Sequence, residues 1–139
     1  MRSRFHVLAG AFAAAALLAS AAAAETPADF LAAFERAARA ASPSWAGFSA
    51  DRGRQFFQQA HGNDWSCATC HTDDPTAVGS HARTGKPIAA LAPAANPERF
   101  RSADTVDKWF RRNCNDVLGR ECTAQEKGDV LTWLLAAGR

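Results

Sequence analysis

The amino-acid sequence predicts an all-helical fold built as one domain. Four stretches carry apolar residues three and four positions apart, which is the spacing of one helix face, and each stretch begins at a serine or threonine that favours a helix start. No stretch alternates apolar and polar residues as a half-buried strand does, and no internal repeat occurs. At 139 residues the chain is long enough for one domain and short for two.

The first two predicted helices lie between residues 26 and 59. The first begins with Thr26 as N-cap and Pro27 at the first helical position, and it ends at Ser42. The second runs from Ser49 to about Gln59, and Gly53 within it can admit another helix at close range. Their apolar faces are formed by Phe30, Leu31 and Phe34 in the first helix and by Phe56 and Phe57 in the second.

Two further helices follow a long loop. Residues 72–96 are rich in Pro, Gly, Ala and Thr without a sustained period, which predicts an ordered loop. The third helix is predicted from near Ser102 to about Arg112, where an Asn-Cys-Asn segment takes over. The last begins at Thr123, whose hydroxyl forms a capping box with Glu126, and it stops at the final glycine. The predicted buried faces carry Val106, Trp109 and Phe110 in the third helix and Val130, Trp133 and Leu134 in the last.

Residues 1–24 have the pattern of a secretion signal. Two arginines precede an apolar segment, and a run of small residues then ends in an A-x-A cleavage pattern. An uncleaved membrane anchor is the alternative, but about a dozen strongly apolar residues are short for a span of about 20. We therefore expect cleavage after Ala24, a domain formed by residues 25–139 and a periplasmic location.

Net charge argues against a nucleic-acid-binding protein. Arg2 and Arg4 leave with the signal, which reduces the 16 Lys and Arg residues to 14 and makes them equal to the 14 Asp and Glu residues. A nucleic-acid surface needs a clustered positive excess, and the mature chain has none. We therefore expect no nucleic-acid partner.

The segment Cys67-Ala68-Thr69-Cys70-His71 has the spacing of a c-type haem attachment motif. Two thiols separated by two residues can each add to a vinyl group of one porphyrin, and the adjacent imidazole then becomes the proximal iron ligand. Half a zinc site, a redox dithiol and two structural cysteines are the alternatives. The other cysteine pair, Cys114 and Cys122, is too widely spaced for a second zinc knuckle. The motif therefore predicts one covalently bound haem c per chain.

The opposite face of that haem has no obvious ligand. An electron-carrying cytochrome c commonly uses methionine there, but the only methionine of this chain is Met1. His61 and His81 lie close to the attachment motif along the chain, so neither can easily reach the opposite face. Basic residues that could pair with the haem propionates are Arg83, Lys86, Arg99 and Arg101.

The second half of the chain resembles a known family. The resemblance rests on three segments: Thr84-Gly85-Lys86 with Leu91-Ala92-Pro93 and Asn96-Pro97; Lys108-Trp109-Phe110-Arg111-Arg112-Asn113-Cys114; and Val117-Leu118-Gly119-Arg120-Glu121-Cys122-Thr123 with Glu126-Lys127. Together they are similar to the SHP family of high-spin, asparagine-ligated c-type cytochromes, some of whose members are known only as a domain of unknown function. The resemblance covers nearly the whole mature chain.

The resemblance implies a class I cytochrome c fold, in which the N-terminal and C-terminal helices cross and the haem lies in the groove between them. The crossing would join Gly53 and Phe56 to Trp133. It places the family's axial asparagine on Asn113 and its disulfide on Cys114 and Cys122. It also implies a dihaem cytochrome c and a membrane b-type cytochrome as electron donors. From the residues alone Asn113 is equally suited to be the C-cap of the third helix.

The expected function is that of a high-spin cytochrome that accepts electrons and binds diatomic gases. An amide oxygen is a hard, neutral donor, so Asn113 should hold ferric iron weakly and ferrous iron more weakly still. Reduction would then open a site for oxygen or nitric oxide. The alternative is a low-spin electron shuttle with His61, His81 or Lys86 as the sixth ligand. Turnover of the bound gas by an enzyme stays open, and no general acid or base stands out in the sequence.

Overall fold

The computed structural model describes residues 24–62 and 64–138, and the elements in this part of the chain are mainly helical. The predicted all-α class is therefore confirmed. The predicted signal segment lies outside the described residues, except for Ala24. Within the described ranges, no helix is both long and apolar enough to cross a membrane. The helices are α1 (Pro27–Ala41), α2 (Ala50–Gln58), α3 (Ala68–His71), α4 (Ala103–Leu118) and α5 (Ala124–Ala136), and the strands are β1 (Gly79–Ser80) and β2 (Pro87–Ile88).

Local capping explains where three of the helices begin. The backbone N–H and hydroxyl of Thr26 both donate to the carboxylate of Asp29 at the start of α1. The Ser49 hydroxyl accepts the N–H of Arg52 in α2. Thr123 and the glutamate three residues later form the capping box of α5. Each pair satisfies N–H groups that the first turn of a helix leaves unpaired, so the predicted starts are confirmed.

α5 lies at the centre of the fold, with α1 and α2 packed against it. Leu131 on α5 is fully buried. One apolar cluster joins α1, α4 and α5, and a second joins α2 and α5. The first consists of Phe30, Phe34, Val106 and Leu131, and the second of Phe57, Val130, Trp133 and Leu134.

The predicted crossing of the second and last helices is present, with one change of partner. A Cβ added to Gly53 would collide with the backbone of Asp129, so the two helices approach each other backbone to backbone at this point. We expected Phe56 to meet Trp133, but it is Phe57 whose ring packs against Trp133, with 5.0 Å between ring centroids.

The third predicted helix is longer than expected. α4 continues past Arg112 to Leu118 and ends at Gly119, which adopts the left-handed conformation at φ 70°. Buried Cys114 and Val117 continue its apolar face, which the polar residues between them concealed. The expectation that Trp109 is buried is also wrong: its side chain is 43% exposed, between the cations of Lys108 and Arg112.

The predicted loop between α3 and α4 contains one feature that the sequence did not indicate. β1 and β2 pair antiparallel, with Gly79 opposite Ile88 and Ser80 opposite Pro87. Further along, the N–H groups of Leu91 and Ala92 both donate to the carbonyl of Pro75. These bonds fold the loop back onto the segment that follows α3.

Candidate functional site

The attachment motif forms a single helical turn, α3. The N–H groups of Cys70 and His71 both donate to the carbonyl of Cys67, at 3.3 and 3.1 Å. Two hydrogen bonds stabilise the start of the turn: the N–H of Ser66 donates to the hydroxyl of Thr69, and the N–H of Thr69 donates to the hydroxyl of Ser66. Cys67 and Cys70 are not joined by a disulfide. Both thiols therefore remain available for covalent attachment.

This turn lies against the crossing of α2 and α5. Cys67 and Ala68 pack on the second apolar cluster. The imidazole of His71 is 6.2 Å from the ring of Phe57, measured between centroids, and Phe57 in turn contacts Trp133. An apolar wall thus borders the Cys67 thiol and the His71 imidazole, as a large apolar cofactor requires.

Burial also sets the protonation of these groups. Burial raises the pKa of the Cys67 thiol to about 11. Burial, together with the nearby positive charge of Arg99, lowers the pKa of His71 to about 4. His71 is therefore a neutral imidazole at physiological pH, the form that binds metal. Among the described residues none hydrogen-bonds to its ring, so both ring nitrogens suit the predicted role of a proximal ligand.

The zinc alternative finds no support in the described part of the chain. There, no three His, Cys, Asp or Glu side chains are grouped closely enough to hold a metal ion. A structural zinc site needs four such ligands in tetrahedral geometry. The thiol pair with one adjacent imidazole fits haem attachment instead.

Asn113 lies inside α4, on the same face as Val106 and Val117, because these residues are seven and four positions from it. Its side chain is partly buried. The hypothesis that it caps the helix is wrong, because Gly119 is the C-cap and donates its N–H to the carbonyl of Asn115. The side chain of Asn113 is thus not committed to ending the helix.

The disulfide implied by the resemblance is present. Cys114 and Cys122 are bridged, with 5.6 Å between their Cα atoms, and both are buried. The bridge joins the residue after Asn113 to the residue before Thr123, the N-cap of α5. The backbone beside Asn113 is therefore covalently tied to the central helix.

The two other candidate histidines have local partners. Nε2 of His61 lies 2.8 Å from the carbonyl oxygen of Phe56, and its ring packs against the Phe56 ring. Nδ1 of His81 accepts the N–H of Arg83 at 3.3 Å. Lys86 is exposed just before β2. Each of these contacts favours a structural role for the two histidines.

Comparison with known proteins agrees with this site. A family described as a domain of unknown function, DUF1924, matches residues 43–134. The cytochrome c-type protein SHP of Cereibacter sphaeroides is 44% identical over 138 residues, which cover 96% of this chain and 98% of that protein. The chain belongs to the SHP family of c-type cytochromes. Membership implies a covalently bound haem c, and cytochrome c'' of Methylophilus methylotrophus is a second relative, 38% identical over 102 residues, or 70% of this chain and 71% of that one.

Solved structures confirm the class I-like fold for this SHP-family chain. Oxidised SHP, described as an oxygen-binding cytochrome c, matches with a TM-score of 0.71 and 44% identity, over 81% of this chain and 98% of that one. Oxidised cytochrome c'' from Methylophilus methylotrophus matches with a TM-score of 0.73 and 33% identity, over 81% and 95% of the two chains. At 44% and 33% sequence identity, both similarities go beyond a shared fold.

Sequence reasoning missed the buried carboxylate of Asp129, which helps to position the site. Asp129 on α5 is only 4% exposed and accepts hydrogen bonds from the N–H of Ser49 and from the guanidinium of Arg52. It therefore ties the start of α2 to α5 at the crossing that supports His71. A single acidic residue directly before the apolar run that begins at Val130 was the available signal.

Proposed function

We propose that this SHP-family chain is a periplasmic monohaem cytochrome that accepts electrons and binds small diatomic gases. Cys67 and Cys70 hold the haem covalently, and His71 is its proximal ligand. Asn113 occupies the opposite face as a displaceable ligand. The sequence contains a single C-x-x-C-H motif, which supports one haem per chain.

The observation that carries this proposal is that the Asn113 side chain is partly buried but has no hydrogen-bond partner among the described residues. The side chain lies on the inner face of α4. Its amide atoms are accessible to solvent, because they are not among the buried side-chain atoms without a partner in the described part of the chain. No protein contact therefore has to break for the amide oxygen to coordinate a metal.

When bound, haem supplies an iron that changes oxidation state and that, as ferrous iron with an open position, takes up oxygen, nitric oxide or carbon monoxide. The part of Asn113 is to hold the ferric state weakly and to leave the ferrous state accessible. Two solved relatives support this role: one is described as an oxygen-binding cytochrome c, and a solution study of cytochrome c'' addresses haem-ligand detachment.

The low-spin shuttle is less well supported. It needs His61, His81 or Lys86 on the iron. The rings of the two histidines already contact neighbouring backbone groups, the carbonyl of Phe56 and the N–H of Arg83. Gas binding is the proposed activity, and oxygen consumption with a reductant and catalytic amounts of protein would reveal turnover. The electron donors proposed from the family resemblance are a dihaem cytochrome c and a membrane b-type cytochrome.

Export is part of the proposal. The signal pattern of residues 1–24 supports it, and so does the bridge between Cys114 and Cys122, because disulfides persist in oxidising compartments such as the periplasm. An epitope-tagged full-length chain should fractionate with periplasmic proteins and should begin at Glu25. Recovery in the cytoplasm with residues 1–24 intact would contradict this part.

Visible spectroscopy of the purified holoprotein tests the ligand assignment. We expect a high-spin ferrous spectrum that shifts promptly on addition of carbon monoxide. Asn113→Ala should alter the ferric spectrum, because the sixth ligand is lost. Asn115→Ala is the matched control, since Asn115 is exposed on the same helix two positions away. A low-spin ferrous spectrum that ignores carbon monoxide, or identical ferric spectra for both variants, would overturn the proposal.

A further inference from the structure

Arg99 stands apart from the other basic residues of the long loop. Its side chain is partly buried, whereas Arg83, Lys86 and Arg101 are exposed. Nε of Arg99 donates to the carbonyl of Ala90 at 3.0 Å, and Nη2 donates to the carbonyl of Ala89 at 2.7 Å. Two neutral backbone oxygens thus fix the plane of the guanidinium group.

The hydrogen bonds of the loop bring this guanidinium towards the attachment motif. The segment after Ala90 is bonded to Pro75, four residues beyond His71, through the N–H groups of Leu91 and Ala92. The cation is therefore held on the side of the fold where the haem attaches.

The positive charge of Arg99 has no protein counter-ion among the described residues. No carboxylate there lies within ion-pair distance, and Nη1 donates to none of these residues. Burial without a partner is unfavourable for a charged group, and burial lowers the pKa of Arg99. The arrangement leaves Nη1 of a fixed guanidinium available to an anion.

The residue after Arg99, Phe100, has a strained backbone conformation that packing of its ring stabilises. Phe100 adopts a left-handed conformation, with φ at 58°, which a bulky residue rarely does. Its ring packs on both apolar clusters, and these contacts over-determine the conformation. Arg99 is therefore placed by packing on one side and by two carbonyls on the other.

We propose that Arg99 binds a haem propionate and so positions the haem in its groove. The inference rests on the haem attachment proposed above. A planar guanidinium pairs well with a carboxylate, and the propionates are the two carboxylates that haem brings. The exposed cations of the loop lack this role because water already solvates them.

The experiment uses the holoprotein with covalently attached haem. Arg99→Gln removes the charge, Arg99→Lys retains it without the planar fork, and Arg101→Gln removes an exposed charge two positions away as the control. The first readout is the reduction potential. The second is the propionate bending vibration in the resonance Raman spectrum of the haem, which responds to hydrogen bonding at the propionates.

Arg99→Gln should lower the ferrous-to-ferric ratio at a fixed applied potential by about tenfold, which is about 59 mV for a one-electron couple. Loss of a cation near the iron favours the ferric state, which carries the extra positive charge. Arg99→Lys should restore most of the potential but still shift the propionate vibration. Arg101→Gln should change neither.

An unshifted propionate vibration in Arg99→Gln, or equal changes in Arg101→Gln, would overturn the inference. If Arg99→Gln is not recovered with haem, Arg99→Lys decides alone, and a wild-type vibration in that variant refutes the pairing. Carbon monoxide binding to each ferrous variant separates the two proposals. Intact gas binding with an unshifted vibration refutes the role of Arg99 and leaves the proposed function standing.

Discussion

Replacing Asp129 by alanine should destabilise the protein at the crossing of α2 and α5. The carboxylate is nearly fully buried and accepts four hydrogen bonds: from Ser49 N at 2.6 Å, from Nε and Nη2 of Arg52 at 2.9 Å each, and from Gln125 at 3.0 Å. These donors come from the start of α2 and from the first turn of α5. The substitution removes all four acceptor contacts at once.

The size of the effect follows from how buried each donor is. The Ser49 N–H would lose a buried, charge-assisted partner, which costs about 1–3 kcal/mol. The Arg52 side chain is 52% exposed and can turn to water, so its lost ion pair adds about 1 kcal/mol or less. Gln125 keeps a second acceptor, the carbonyl of Gly47. We therefore expect a loss of about 1–4 kcal/mol in the free energy of unfolding.

Thermal unfolding of the ferric holoprotein measures this loss. At about 4 °C per kcal/mol for a domain of this size, Tm should fall by about 4–16 °C. The exposed pair of Glu35 and Arg39, one helical turn apart, provides the control, and Glu35→Gln should change stability by about 0.5 kcal/mol or less. If Asp129→Ala and Glu35→Gln shift Tm equally, Asp129 does not hold the crossing together.

Two further predictions concern the helix crossing and the disulfide. In denaturant unfolding, Gly53→Ala should lower the free energy of unfolding by about 1–3 kcal/mol or more, because the added Cβ would meet the rigid backbone of α5. Gly128→Ala should cost less, because its Cβ would meet the ring of Phe48, which can move. Equal losses for the two variants would contradict this. Reducing the bridge between Cys114 and Cys122 should lower the free energy of unfolding by about 2–3 kcal/mol. It should also change the kinetics of carbon monoxide binding, because the bridge fixes the backbone beside Asn113. Stopped-flow rates identical to those of the bridged protein would refute this second role.

Features encoded by neighbouring residues could be predicted from the sequence. The starts of α1, α2 and α5 depend on a capping residue and the first turn that follows it, so Thr26, Ser49 and Thr123 were sufficient. The haem motif is equally local, because covalent attachment needs two thiols and one imidazole at fixed spacing. The pairing of Cys114 with Cys122 was available only through the family resemblance, since cysteine spacing alone leaves the connectivity open.

Features decided by tertiary packing could not be predicted. The polar run around Asn113 suggested that α4 ends there, but burial of Cys114 and Val117 and the left-handed Gly119 carry the helix further. The choice of Arg99 among four loop cations required the carbonyls of Ala89 and Ala90, which lie nine and ten residues away along the chain. No local pattern records such contacts.

The longer α4 changes how the proposed release of Asn113 from the iron should be understood. A ligand at the end of a helix could leave the iron by fraying of the last turn, but Asn113 lies inside the helix, and the next residue is bridged to the segment that starts α5. Moving the Asn113 backbone would therefore disturb α5, whose side chains Asp129 and Trp133 support the helix crossing beside His71. Rotation of the Asn113 side chain about its Cα–Cβ bond moves neither the backbone of α4 nor α5. The covalent tie thus favours a gate in which the amide swings while both helices stay in place.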